Sequence, residues 1–159
     1  MLFDLIPPAV ATVAAMFDLR WRRIPNWLTL SAFAAGLLLQ TLRFGLAGVP
    51  LALGGAALGV CVLLPFYLIH AVGAGDVKLL AGLGALIGPQ ALVSVAVYAA
   101  LVGGAISVVM LARQGRLQFS MAEIMTRPTH LTRGGAKAPY GVALACGVYL
   151  SMLLPSVLA

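Results

Sequence analysis

Apolar runs separated by short polar connections dominate the pattern of the chain. They cover Met1 to about Phe17, Trp27 to Leu42, Leu51 to Ile69, about Asp76 to Gly88, Gln90 to Ala112, and Ala138 to about Leu158. Most approach the length of about 20 residues that a transmembrane helix needs. The pattern predicts an all-α, polytopic membrane bundle of about six transmembrane helices, forming one transmembrane domain over residues 1–159.

The fourth run is unusually short because Gly88-Pro89 interrupts it. It has about twelve residues, or roughly 18 Å of helix, against a hydrocarbon core of about 30 Å. If its far end reaches the opposite interface, Asp76 begins below the membrane surface, at the foot of a water-accessible dip. Gly55 and Gly59 in the third run, and Gly84 and Gly88 in the fourth, have the spacing that lets two helices approach closely.

Composition agrees with a membrane protein. Hydrophobic residues make up 62% of the chain and charged residues 9%, and the mean hydropathy is +1.07. An ordinary globular domain has about 25% charged residues. The net charge of +6 does not indicate nucleic acid, because the basic residues lie at the ends of apolar runs, where they set topology and contact anionic lipids.

Nine of the ten lysines and arginines lie in the first, third and fifth predicted loops. The positive-inside rule therefore places these loops in the cytoplasm and both termini outside. The first run begins near Asp4 and ends in a basic cluster, the reverse of a cleavable signal peptide. We expect it to be retained as a membrane span.

Asp76 and Lys78 are the only formal charges between Pro50 and Ala112. An ionisable group at membrane depth is costly and indicates a functional site. Gly73 and Gly75 precede the carboxylate, and we expect them to keep this segment non-helical. We predict a wet pocket that holds Asp76, with Lys78 favouring its charged form or anchoring the helix at the interface.

Asp18 is a second carboxylate on the same predicted side of the membrane. It can pair simply with Arg20 or Arg22 at the interface, or it can act together with Asp76. Ile24-Pro25-Asn26 then ends the helix, because the residue before a proline is disfavoured in a helix and Asn26 favours a turn or a helix N-cap.

Other polar residues offer little competing chemistry. His70 has no cluster of ligands to make it a metal site, and the two cysteines, Cys61 and Cys146, lie in apolar runs. We therefore predict no metal and no cofactor. Two carboxylates in a poorly hydrated pocket tend to share one proton, so that a base and an acid become available together. This is the chemistry of aspartic proteolysis.

The sequence resembles the type IV prepilin peptidases, membrane aspartic proteases that share a Gly-x-Gly-Asp element with presenilin-like proteases. The resemblance covers nearly the whole chain. It lies in Asp18 with Arg22-Arg23-Ile24-Pro25-Asn26, in Gly73-Ala74-Gly75-Asp76-Val77-Lys78-Leu79-Leu80-Ala81, and in Lys137-Ala138-Pro139-Tyr140-Gly141.

The resemblance implies that Asp18 and Asp76 are catalytic. It further implies that the enzyme cuts a short basic leader from prepilins or pseudopilins at the cytoplasmic face of the bacterial inner membrane. We assign supporting or substrate-binding roles to Gly73, Gly75, Lys78, Pro25 and Asn26. Longer members carry a cysteine tetrad linked to methylation of the new N-terminus, and often have Asp where this chain has Asn26. The chain lacks the tetrad and resembles the short form associated with Flp/Tad-type pili, so we expect no methyltransferase activity.

Two other functions are open from the residues alone. A small ion- or proton-coupled transporter subunit would use Asp76 and Lys78 as carriers, but no convincing inverted repeat is present. A purely structural subunit would pair Asp18 with arginines and Asp76 with Lys78. The sequence assigns no oligomeric state.

Overall fold

The computed structural model describes residues 2–113 and 140–154, and all regular structure in these two ranges is helical. The elements are α1 (Leu2–Trp21), α2 (Asn26–Phe44), a 3₁₀ turn (Gly45–Ala47), α3 (Gly48–Leu68), α4 (Ala74–Arg113) and α5 (Tyr140–Leu153). Most of the predicted fifth loop and the expected start of the last span at Ala138 lie outside the described residues. By length and composition, the helical stretches Asn26–Leu68 and Ala74–Met110 could each cross a membrane.

The described ranges thus contain five α-helices where six spans were predicted. The predicted fourth and fifth spans form the single element α4, which is broken at Gly88, as the Gly-Pro pair indicated. Gly88 has φ 81° and ψ 170°, a conformation open essentially to glycine. Pro89 lacks the N–H that would continue the helical hydrogen bonds. Beside this break, the Gln40 side chain donates to the Leu86 carbonyl, at 3.2 Å.

The two halves of α4 fold back on each other at this break. The Tyr140 ring Cε2 lies 3.3 Å from where a Cβ atom at Gly103 would be, and the next residue, Gly141, contacts Asp18, which lines one cleft with Asp76. A straight helix would separate Asp76 from Gly103 by about 40 Å. The start of α5 can therefore lie near both only because the chain reverses at Gly88.

Glycines allow the close packing of α3 against the first half of α4, which confirms the small-residue prediction. A Cβ atom at either Gly55 or Gly84 would collide with the backbone carbonyl of the other. A Cβ atom at Gly59 would lie 2.7 Å from the Leu80 carbonyl oxygen. Packing is tight here because no side chains separate the two backbones.

Helix α2 runs beside the first half of α4 in the same direction, whereas α5 runs antiparallel to α1. The α2–α4 neighbours, in order along both helices, are Asn26 with Lys78, Thr29 with Gly82, Gly36 with Ala85, and Gln40 with Leu86. The α1–α5 neighbours are Asp18 with Gly141 and Thr12 with Tyr149. The end of α1 and the beginnings of α2, α4 and α5 consequently meet at one end of the bundle.

The core is formed by leucines from the two halves of α4 and from α5, including Leu79, Leu80, Leu83, Leu92 and Leu144. Many large apolar side chains point outward instead, among them Leu30, Leu42, Phe66 and Leu101. An apolar exterior of this kind is expected where lipid replaces water around the protein.

Candidate active site

Asp18 lies in the last turn of α1, and the end of that helix fixes its backbone. The Arg22 N–H donates to the Asp18 carbonyl at 2.9 Å, and Arg22 has φ 51°. This is the single-bond left-handed cap that commonly ends a helix. The turn also directs residues 22–25 away from the helix axis and toward the start of α4.

The Asp18 carboxylate is held by another helix. Its Oδ2 accepts a hydrogen bond of 2.8 Å from the Gly141 N–H, at the start of α5. A Cβ atom at residue 141 would lie 2.9 Å from both Cβ and Oδ2 of Asp18, so that only glycine fits without movement. Within the described residues, Asp18 forms no ion pair with Arg20 or Arg22, and the Arg20 guanidinium lies over the Trp21 ring, 5.5 Å from its centroid. The simple interfacial pairing is not observed.

Asp76 lies in the first turn of α4, where a backbone N–H at the start of the same turn donates to its carboxylate. Its Oδ2 accepts from the Gly73 N–H at 3.0 Å, and its N–H donates to the Gly73 carbonyl at 3.1 Å. The carboxylate thus fills the N3 role of a capping box, in which an acidic side chain reaches back to the N-cap N–H. A negative charge is also favoured at a helix N-terminus.

The expectation of a non-helical segment is confirmed for Gly73 but wrong for Gly75. Gly75 lies inside α4, which begins at Ala74, and neither glycine has a positive φ. Both are close-approach positions instead. A Cβ atom at Gly73 would lie 3.3 Å from the Asp76 Oδ2, and one at Gly75 would lie 3.2 Å from the Ile24 Cβ. The glycines let the end of the α1–α2 connection pack against the turn that carries Asp76.

Both carboxylates line one cleft of about 280 Å³, together with Arg22, Arg23, Ile24, Gly73, Ala74 and Gly75. This volume holds several water molecules. Asp18 and Asp76 are both half-buried, so they are shielded but reachable from solvent. The two arginines balance the two carboxylates by formal charge.

Lys78 and Asn26 lie together, but outside this cleft. The Lys78 Nζ donates to the Asn26 Oδ1 at 3.0 Å, and both residues line a neighbouring groove of about 400 Å³ between α2 and α4. The expected pairing of Lys78 with Asp76 is therefore replaced by an amide partner. Asn26 is also not the N-cap of α2, since Pro25 holds that position and no side-chain cap is formed. Pro25 acts through its carbonyl, which accepts from the Leu28 N–H at 3.1 Å.

Tyr140 is a site residue to which the sequence assigned no role. Its half-buried side chain rests against Gly103, and it directly precedes Gly141, the donor to Asp18. The only signal was its place beside Gly141 in the third quoted block. His70, by contrast, has a local structural role. With φ 60°, it is the left-handed residue in the hydrogen-bonded end of α3, where His70 N–H donates to Tyr67 and Ala71 N–H to Phe66.

Comparison with known protein families identifies the family of this chain. The model of the type IV leader peptidase family matches residues 5–108. The chain belongs to the type IV leader peptidase family. No curated protein and no solved structure matches it. Membership makes the protein a leader-peptidase-like protease, and the matched residues include Asp18 and Asp76. They end before α5, although α5 supplies the amide that holds Asp18.

Proposed function

We propose that the protein is a membrane-embedded aspartic endopeptidase. In this proposal it removes the short basic leader from type IV prepilins or pseudopilins of the Flp type, at the cytoplasmic face of the bacterial inner membrane. The observation that carries the proposal is that Asp18 and Asp76, from helices far apart in sequence, line one cleft. Family membership supports the reaction class.

The proposed reaction uses the aspartates as an acid–base pair. The ionised carboxylate removes a proton from a water molecule, whose oxygen attacks the scissile carbonyl carbon, while the protonated carboxyl gives its proton to the carbonyl oxygen. The tetrahedral intermediate then collapses. The carbon–nitrogen bond breaks, and the nitrogen leaves as an amine after receiving the proton first taken from water. A hydroxyl group of the intermediate returns its proton to the other aspartate as the new carbonyl forms, which restores the acid–base pair. The products are the leader, with a new carboxylate, and the mature chain, with a new amino group.

The arrangement of the helices supports a cleft set into the membrane. Helices α2 and α3 are each about 30 Å long, close to the hydrocarbon thickness. The second half of α4 continues from Gly103, beside Tyr140, to Arg113, about 15 Å further. This extension exposes Val108 and Val109. Lipid-facing surface that continues past the level of Tyr140 and Asp76 favours a site below the membrane surface.

The charges favour a cytoplasmic orientation for this cleft. Arg20, Arg22, Arg23 and Lys78 lie at the end of the bundle that carries the aspartates, whereas Arg43 lies near the other end of α2. By the positive-inside rule the aspartate end faces the cytoplasm, and the N-terminus then lies outside. A precursor whose apolar helix enters the bilayer beside the enzyme would present its leader junction at this end.

The test is a cleavage assay with the full chain reconstituted in vesicles. The probe is a synthetic precursor with a basic leader followed by an apolar segment, and the products are sequenced by mass spectrometry. We expect a single cut at the junction between leader and apolar segment. No cleavage of any precursor of this type by a folded, inserted preparation would contradict the proposal. So would equal cleavage by a variant that lacks both aspartates.

A further inference from the structure

Helix α5 connects the two helices that carry the aspartates. Helix α1, with Asp18, and α4, with Asp76, each pack extensively on α5 but touch each other only sparsely. The relative position of the two carboxylates consequently depends on α5, together with the contact between Ile24 and Gly75. Since acid–base catalysis depends on the separation of the two groups, the attachment of Asp18 to α5 matters.

One residue at the start of α5 makes the attachment to Asp18. The Gly141 N–H donates to the Asp18 Oδ2 at 2.8 Å. On the α4 side, a Cβ atom at Gly103 would lie 3.3 Å from both the Tyr140 ring and the Ala143 Cβ. The start of α5 thus packs against α1 and against the second half of α4.

We propose that Gly141 positions Asp18 relative to Asp76, and so sets the geometry of the acid–base pair. It acts through Asp18, whose carboxylate its amide holds, so it is a positioning residue. The kinetic part of the proposal rests on the proposed protease function, whereas its spectroscopic part does not.

The space at residue 141 leaves no room for a side chain. Ordinary van der Waals contact for a Cβ atom begins at 3.4 Å, whereas one at residue 141 would lie 2.9 Å from Asp18. A methyl group there must displace Asp18 or the start of α5 by about 0.5 Å. A misplacement of about 1 Å can cost about 100-fold in rate, so a loss of about 10-fold or more is expected.

The first experiment compares three Gly→Ala variants of the full chain. Gly141→Ala perturbs the Asp18 attachment. Gly36→Ala creates a collision with the Ala85 backbone at the α2–α4 contact, away from α5, and Gly104→Ala has nothing within 4 Å. All three changes add one methyl group, and they differ in what that group meets. With the synthetic precursor and rates normalised to folded protein, we expect Gly141→Ala to lose about 10-fold or more in kcat. We expect its KM, and both constants of Gly104→Ala, to stay near wild type. A loss of kcat in Gly36→Ala as large as that in Gly141→Ala would contradict a specific role of the Asp18 attachment.

The second experiment needs no substrate. The chain has only four carboxylic side chains, so infrared spectra of protein with isotope-labelled aspartate can resolve Asp18 by its loss in Asp18→Asn. The band should shift in Gly141→Ala, because its amide donor is displaced, and stay unchanged in Gly36→Ala and Gly104→Ala. An unshifted Asp18 band in Gly141→Ala overturns the positioning role even if the protein cleaves no precursor. A shifted band without cleavage in wild type would reject the protease function and retain the positioning.

Discussion

The two aspartates reach one cleft in opposite ways. Asp76 is held by an amide three residues earlier in its own turn. Asp18 is held by an amide 123 residues later, on another helix. One half of the candidate site is therefore a local structure, and the other half exists only when the bundle has closed.

Helix polarity explains the difference. Asp76 lies at the start of α4, where unpaired N–H groups and the helix dipole favour a carboxylate. Asp18 lies at the end of α1, where unpaired carbonyls and the dipole disfavour one. Its donor has to come from elsewhere, and the N-terminus of the antiparallel α5 provides it. The carboxylate at the C-terminal end of α1 is thus stabilised by the N-terminal end of the neighbouring α5.

The largest expected effect comes from removing either carboxylate. Asp18→Asn and Asp76→Asn should each lower the rate of leader cleavage by about 10²–10⁴-fold, because one half of the acid–base pair is lost while side-chain volume is kept. The double variant should be little worse than either single one, since the two groups act as a unit. Initial rates on the synthetic precursor measure this, with thermal unfolding in detergent as the folding control. Near-normal turnover by either single variant would show that its aspartate is structural.

The next change tests the local support that Gly73 gives to Asp76. Gly73→Ala places a Cβ atom 3.3 Å from the Asp76 Oδ2 but keeps the Gly73 N–H. A carboxylate can turn away from this contact within its own turn, so we expect a loss in kcat of less than about 10-fold, smaller than for Gly141→Ala. The same assay measures it, with Gly104→Ala as the matched control. A larger loss for Gly73→Ala than for Gly141→Ala would mean that the local support is the more demanding one.

The same contrast shows what could be read from the sequence. The break at Gly88, the glycine contact of α3 with α4, and the meeting of Asp18 and Asp76 at one end could be predicted, because each follows from local chain geometry or helix order. The Gly141 amide could not be, since nothing near Asp18 or Gly141 encodes a contact over that separation. The partner of Lys78 could not be predicted for a similar reason. Proximity in sequence to Asp76 suggested an ion pair, whereas the direction of α2 brings Asn26 to Lys78.

Lys78 should matter less than the aspartates or the glycines. Lys78→Met keeps the apolar stem but loses the hydrogen bond to Asn26, which lies in the neighbouring groove. The pH profile of cleavage should therefore keep its shape, and stability should fall by less than about 1 kcal/mol. The profile is measured as kcat against pH, and a double-mutant cycle with Asn26→Leu measures the coupling. A clear displacement of the profile would mean that the ammonium acts on the aspartates across the wall of the cleft.

The smallest effects are expected at two left-handed helix ends, one in the site and one outside it. Arg22 and His70 have φ values of 51° and 60°, in a region that costs residues other than glycine about 1–2 kcal/mol. After the greater chain entropy of glycine is subtracted, Arg22→Gly and His70→Gly should each stabilise the protein by about 0.5–1 kcal/mol. This is measured as a higher midpoint of thermal unfolding.

The activities of the two variants should differ, because Arg22 lines the cleft with both aspartates and His70 does not. We expect Arg22→Gly to raise KM severalfold and His70→Gly to leave cleavage unchanged. Arg22→Gln separates the two causes, since it keeps the strained backbone and removes only the charge. If Arg22→Gln cleaves like wild type while Arg22→Gly does not, the backbone of this turn, and not its guanidinium, is what the cleft requires.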